Sequence, residues 1–163
     1  MAPLGSGFAL GDTACKAVFV GGGIGVPPLL EAAKAFGGNA TAIVGFRNQQ
    51  SAILLEDFQK NGNRVILATD DGSAGHHGLV TDCMADLEFD AVFACGPSPM
   101  LKAVSKIARE RGVPCQISLE ERMACGIGAC LGCAVKLRRE NGEEYYGHVC
   151  KDGPVFDYQK VVW

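Results

Sequence analysis

The sequence predicts an α/β protein: a five-stranded parallel sheet with helices on both faces, followed by a small C-terminal domain built on a β-hairpin. Three observations carry this. Between Lys16 and Leu119, short β-branched or apolar runs alternate with amphipathic stretches, the pattern of strand–helix repeats that build a covered parallel sheet. Beyond Leu119 the rhythm stops, and Cys125–Cys133 packs three cysteines and three glycines into nine residues, too much glycine for a stable helix. Then Asn141-Gly142 stands between two apolar runs, a strong hairpin signal.

The elements follow in order. Lys16–Val20 is an apolar strand closed by glycine. Pro28–Phe36 is the first helix, with Pro27 and Pro28 suited to a first turn whose N–H groups have no intrahelical partner. Thr41–Phe46 is the second strand. Ser51–Lys60 is the second helix, with Ile53, Leu54 and Phe58 on an apolar face, Glu56 and Asp57 on an acidic one, and Asn61-Gly62-Asn63 as its stop. Arg64–Thr69 and Asp90–Cys95 are the third and fourth strands. Pro99–Arg111 is the third helix, ended by Gly112, and Pro114–Leu119 the fifth strand. Ala134–Arg138 and Glu144–Val149 flank the turn Glu140-Asn141-Gly142-Glu143.

Composition removes several function classes. Apolar residues make up 48%, charged residues 20%, and the net charge is −3, a globular composition with the wrong sign for a nucleic-acid partner. The longest apolar stretch, Ala17–Leu30, spans 14 residues and is cut by four glycines and two prolines, so no membrane span is expected. No basic region precedes an apolar one, so no secretory signal is expected and the reading is cytoplasmic. Glycine is the outlier, 22 of 163 residues and about twice the usual share. Such density marks backbone that turns sharply or approaches a ligand closely. Eight cysteines in an unsignalled chain, four of them between 125 and 150, favour metal or redox chemistry over a disulfide framework.

Three loops at strand ends are candidates for a nucleotide. The run Val20-Gly21-Gly22-Gly23-Ile24-Gly25-Val26-Pro27-Pro28 is a strand, a glycine turn and a helix start. Gly22, Gly23, Gly25 and Val26 are expected to let the backbone and helix N-terminus meet a pyrophosphate; the same residues also suit a tight turn with no ligand. The pattern is G-x-G-x-x-P, the ferredoxin reductase-like form, and not G-x-G-x-x-G. Asp70, Asp71 and Gly72 follow the third strand, where two carboxylates would accept hydrogen bonds from ribose hydroxyls and repel a 2′-phosphate, favouring NAD over NADP; a solvated acidic turn is the plainer reading. Cys95, Gly96, Pro97 and Met100 follow the fourth strand and leave room for a flat nicotinamide ring, although Cys95 also reads as a packed core thiol.

The strongest signal is Cys125-x4-Cys130-x2-Cys133 with a distant Cys150, the plant-type ferredoxin spacing for a two-iron two-sulfur cluster. Gly126, Gly128 and Gly132 supply backbone freedom and N–H groups that can face the sulfurs. Zinc is the rival for four thiolates, but zinc sites usually bring two C-x2-C knuckles and this chain has one. Cys15, Cys83 and Cys115 read as packing residues. No residue stands out as a general base or nucleophile, so no catalytic residue is expected.

With these motifs on the page, the chain resembles the electron-transfer subunits of class 1B dihydroorotate dehydrogenase through nearly all of its length. The resemblance rests on Pro3–Phe8, Gly21–Pro28, Asp70–Ser73 with Gly78–Asp82, Cys95-Gly96-Pro97 with Met100, and above all Ser118–Cys130 and Val149–Phe156. It implies FAD, NAD and one two-iron two-sulfur cluster, and a catalytic partner that carries FMN and binds dihydroorotate and orotate in pyrimidine biosynthesis. It also implies a linker segment over residues 1–15, a ferredoxin reductase-like NAD domain over 16–118 and an iron–sulfur domain over 119–163. Members of the family begin with a flavin-binding β-barrel that this sequence lacks. The expectation is therefore a fragment, a trimmed piece or a split-gene product whose barrel is a separate chain. FAD is not expected to bind without that barrel, and a NAD-linked oxidoreductase component is not expected to be active alone. A hydride carries two electrons and such a cluster accepts one, so a flavin is needed between them. The alternatives are a related NAD(P)H reductase or sulfhydrogenase subunit, and a non-enzymatic zinc-stabilised binding domain.

Overall fold

The computed structural model describes residues 5–163; part of the expected 1–15 linker and of the Pro3–Phe8 match lies outside the described residues. The elements in chain order are β1 (Ala17–Gly22), α1 (Pro27–Lys34), β2 (Ala40–Phe46), α2 (Leu55–Lys60), β3 (Arg64–Thr69), β4 (His76–His77), β5 (Ala91–Cys95), α3 (Ser98–Arg111), β6 (Cys115–Ser118), β7 (Ala134–Arg138), β8 (Glu144–His148), α4 (Val149–Asp152) and β9 (Val155–Asp157). Among the described residues the main sheet has seven strands in the order β4-β3-β2-β1-β5-β6-β9. The five expected strands form its parallel centre. Two strands were not expected. β4 is a two-residue parallel edge, and β9 is a three-residue strand antiparallel to β6, so the sheet is mixed. Neither is long enough to show a period of its own.

Strand β1 lies at the middle of the parallel set, paired with β2 on one side and β5 on the other. Its side chains are buried on both faces, as expected of a continuous apolar run inside a covered parallel sheet. Val18 and Val20 face the core under α3, with Ile43, Val92, Leu101, Val104 and Ile117. Ala17 and Phe19 face the opposite core under α1 and α2, with Leu29, Phe36, Phe58 and Phe93. There Phe19 stacks on Phe93 at 4.8 Å between ring centres, and Phe8 meets Phe93 edge-on at 5.7 Å. The two cores place helices on both faces. Helix α2 is shorter than the expected 51–60: Gln49–Ser51 form a separate turn, and Leu54 adopts a left-handed conformation (φ 63°) that interrupts the helix.

The chain beyond β6 is fastened to the sheet. Leu119 N–H donates to the Pro154 carbonyl at 2.9 Å where β9 returns along β6. The hairpin β7–β8 closes through Asn141-Gly142, with Arg138 opposite Glu144 and ion-paired to it at 3.0 Å. Leu137, Val149 and Phe156 complete the same core as Ile117 and Leu101, and Arg109 of α3 lies over the Tyr158 ring. At the other end of the chain, Gln116 of β6 clamps the backbone of Ala9 with two hydrogen bonds of 2.8 and 2.6 Å. No helix of the described residues is long and apolar enough to cross a membrane.

Candidate functional site

The carboxyl ends of β1, β2, β3 and β5 open into a cavity of about 570 Å³. This is where ligands enter open α/β sheets. Of the residues singled out in the sequence, Gly22, Gly23, Asp70, Pro97 and Met100 line it. Gly25, Val26, Asp71, Gly72, Cys95 and Gly96 do not line it. Val26 is fully buried, and Gly25 sits so close to the Cys95 carbonyl that a Cβ would run into it and into Gly96 Cα at 2.7 Å. These glycines bring the β1 and β5 loops together beneath the cavity. Ten further lining residues were not among the expected site residues, Arg47, Ser51, Ile53, Leu79 and Glu120 among them. Leu79 and Glu120 fall inside the matched stretches Gly78–Asp82 and Ser118–Cys130, and Arg47 lies just past a predicted strand.

The helix end at the glycine loop departs from expectation. Pro27 and Pro28 have no N–H to offer. Val26 N–H is used by the Gly23 carbonyl at 3.2 Å and Leu29 N–H by the Val26 carbonyl at 3.1 Å. The first turn of α1 therefore presents no spare donor, and only the glycine loop before it is left to meet a phosphate.

The two aspartates also divide. Asp70 faces the cavity, its N–H donating to the Phe46 carbonyl at 3.0 Å. Asp71 instead accepts the Ser73 N–H at 2.9 Å, and hydrogen bonding by Ser73, side chain first, holds its carboxyl below the usual range. Ser73 Oγ accepts the Gln49 N–H at 2.8 Å. Asp71 is a loop-building residue, joining the β3 loop to the β2 loop. Cys95 is buried in the core under α1 and α2; burial raises its thiol pKa, the Ser118 hydroxyl lowers it, and the Glu120 carboxylate raises it.

Among the described residues no three or more His, Cys, Asp or Glu side chains converge on a single metal-ion position. The four clustered cysteines act on one another: the Cys130 thiol hydrogen-bonds to Cys125, and Cys150 feels both Cys133 and Cys125. The loop around them directs backbone donors at sulfur. The Ile127 N–H, then the Cys130 thiol, then the N–H groups of Cys130 and Ala129 pull Cys125 down to about 6. Gly132 N–H donates to Cys130 Sγ at 3.4 Å, and Gly128 N–H serves Cys150. Cys150 itself is raised, by burial first and then by the neighbouring Cys133 thiol. Gly126 and Gly128 hold this loop at φ 68° and 76°, conformations that side chains resist. Cys115, by contrast, is raised to about 12 by burial, as a packing thiol should be. Met123, Ile127 and Leu131 stand exposed around the cysteines.

Residues 120–162 match the family model of the iron–sulfur cluster binding domain of dihydroorotate dehydrogenase B. The whole chain is similar to the electron transfer subunit of dihydroorotate dehydrogenase B (NAD(+)) from Caldanaerobacter subterraneus subsp. tengcongensis, at 45% identity over 99% of this chain and 64% of the relative. The subunit of the same name from Streptococcus mutans is 42% identical over 99% of this chain and 64% of the relative. The chain thus spans 64% of the length of these relatives. Among solved structures, an NADH-dependent reduced ferredoxin–NADP oxidoreductase aligns with a TM-score of 0.74 and 34% identity, covering 90% of this chain and 54% of that one. The C-terminal domain of a Pyrococcus furiosus hydrogenase shares the fold, with a TM-score of 0.56 over 72% of this chain and all of that domain, at 21% identity.

The Cys125 environment makes one test. Its folded pKa lies below the ordinary thiol value, so the thiolate's contribution to stability is complete at alkaline pH and is lost as pH falls toward about 6. In cluster-free protein, iodoacetamide should label Cys125 at neutral pH while leaving Cys115 untouched until the chain unfolds. Peptide mapping across pH checks this; equal labelling of both thiols in the folded chain would contradict it.

Proposed function

We propose that this chain is the NAD-binding and iron–sulfur part of an electron transfer subunit of dihydroorotate dehydrogenase B. In this reading it passes electrons between NAD(H), FAD and a two-iron two-sulfur cluster to an FMN-bearing dihydroorotate dehydrogenase partner in pyrimidine biosynthesis. Residues 16–118 form the NAD domain, 119–163 the cluster domain and 1–15 the segment leading from a flavin barrel that belongs to the same or a separate chain. The observation that carries the proposal is the clustering of Cys125, Cys130 and Cys133, in a loop whose N–H groups face sulfur, with Cys150 of α4.

When bound, the cluster relays electrons singly, whereas nicotinamide exchanges two as a hydride. Cys125, Cys130, Cys133 and Cys150 would hold the cluster through their thiolates. The depressed pKa of Cys125 supplies a thiolate ready to ligate, and the loop N–H groups offset the negative charge of the sulfurs. In the cavity, Gly22 and Gly23 let the nucleotide backbone approach, and Asp70 accepts from the ribose hydroxyls. Pro97 and Met100 form the floor for the nicotinamide. Glu120 lines the cavity five residues before Cys125, so the route from nucleotide to cluster is short along the chain.

A second reading, a subunit of a ferredoxin-linked NAD(P)H oxidoreductase, is favoured by the solved structure at 34% identity. Assay of the chain with its partners separates the two, since the first requires electrons from dihydroorotate and the second from reduced ferredoxin.

Replacing Cys150 with Ser should abolish or strongly alter the visible absorbance and the reduced-state EPR signal, while Cys115→Ser leaves both unchanged. A native spectrum in the Cys150 variant would overturn the ligand set. For the nucleotide, Asp70→Arg should raise NADPH affinity roughly tenfold by replacing repulsion of the 2′-phosphate with attraction. Asp71→Asn should leave the NADH-to-NADPH preference nearly unchanged. Calorimetric titration of both nucleotides decides it, and tighter NADPH than NADH binding by the unaltered chain would refute the NAD preference.

A further inference from the structure

The cavity poses an electrostatic problem that the glycine loop does not solve. A dinucleotide brings a pyrophosphate with two negative charges into a space already lined by the carboxylates of Asp70 and Glu120, in a chain of net charge −3. The usual remedy, the N-terminus of the helix after the first strand, is disabled. Pro27 and Pro28 lack N–H groups, and the N–H groups of Val26 and Leu29 are taken by backbone carbonyls. Among the lining residues one side chain is cationic, Arg47.

Its place in the sheet is the relevant one. β2 lies between β1 and β3, with Gly22 opposite Gly45 on one side and Phe46 opposite Thr69 on the other. Arg47 directly follows Phe46. It therefore stands between the glycine loop and Asp70, the stretch a pyrophosphate must cross if the ribose reaches Asp70. Its backbone is fixed, because its carbonyl accepts the Asp71 N–H at 3.2 Å. Its side chain is exposed and, among the described residues, enters no ion pair.

We propose that Arg47 is the pyrophosphate-neutralising residue of this cavity, taking over the role that the proline-blocked end of α1 cannot fill. A guanidinium suits it: the planar fork offers paired donors to phosphate oxygens and stays charged at every working pH. The inference rests on the reading of the cavity as the NAD site.

The test uses the 163-residue chain and three probes: NADH, ADP-ribose, which keeps the pyrophosphate, and adenosine, which lacks it. Arg47→Ala should weaken NADH and ADP-ribose roughly tenfold and adenosine by less than about twofold, with a shallower dependence on salt. Arg47→Lys should recover most of the loss, which a merely structural role would not predict. Circular dichroism confirms that both variants fold. Equal weakening of adenosine would make Arg47 an adenine or ribose contact, and a loss confined to NADPH would make it a 2′-phosphate reader; either result overturns the proposal. Unchanged binding in Arg47→Ala overturns it while leaving the NAD reading intact. Failure of the unaltered chain to bind ADP-ribose or NADH removes the NAD reading, and this inference with it.

Discussion

The antiparallel return of β9 along β6 is the constraint on which the arrangement depends. β6 ends at Ser118, and the chain then runs through Glu120 at the cavity into the cysteine loop. Without a fastening, a loop holding so much glycine would be mobile relative to the sheet. The pairing of Ile117 with Phe156, and the Leu119 N–H to Pro154 carbonyl bond, fix both ends of the segment to the same strand. Burial of Leu137, Val149 and Phe156 in the core under α3 makes that attachment apolar as well as hydrogen-bonded. The cavity and the cysteines are thereby anchored to the same sheet.

Two opposite electrostatic solutions stand side by side. Around the cysteines, backbone N–H groups gather on sulfur, lowering Cys125 and setting up a place for concentrated negative charge. In the cavity the helix end has been stripped of donors by prolines, so charge compensation moves to a side chain. The difference follows from local sequence. Glycines at 126 and 128 adopt left-handed backbone that turns N–H groups inward, whereas Pro27 and Pro28 favour a helix start and remove its donors.

Much of this was legible from residue patterns. The five central strands are buried on both faces and read as apolar runs, and the Asn141-Gly142 turn named its hairpin. β4 and β9 were not legible, because two- and three-residue strands carry no period and exist only through their partners. The second helix was read too long because nothing in Leu54 announces a left-handed backbone. At the site, Asp70 and Asp71 are chemically identical in sequence; only the Ser73 hydrogen bonds tell the loop-builder from the residue that faces the cavity. Arg47, Ile53 and Leu79 were missed for a related reason. Their relevance comes from the parallel sheet bringing three loop ends together, which no single motif records.

The central claim is that the fastened cysteine loop is built for a two-iron cluster and not for a single metal ion. Iron, acid-labile sulfide and zinc measured on the same anaerobically purified chain test it most directly. The account predicts about two iron and two sulfide per chain with little zinc. About one zinc per chain, with neither iron nor sulfide, would contradict it.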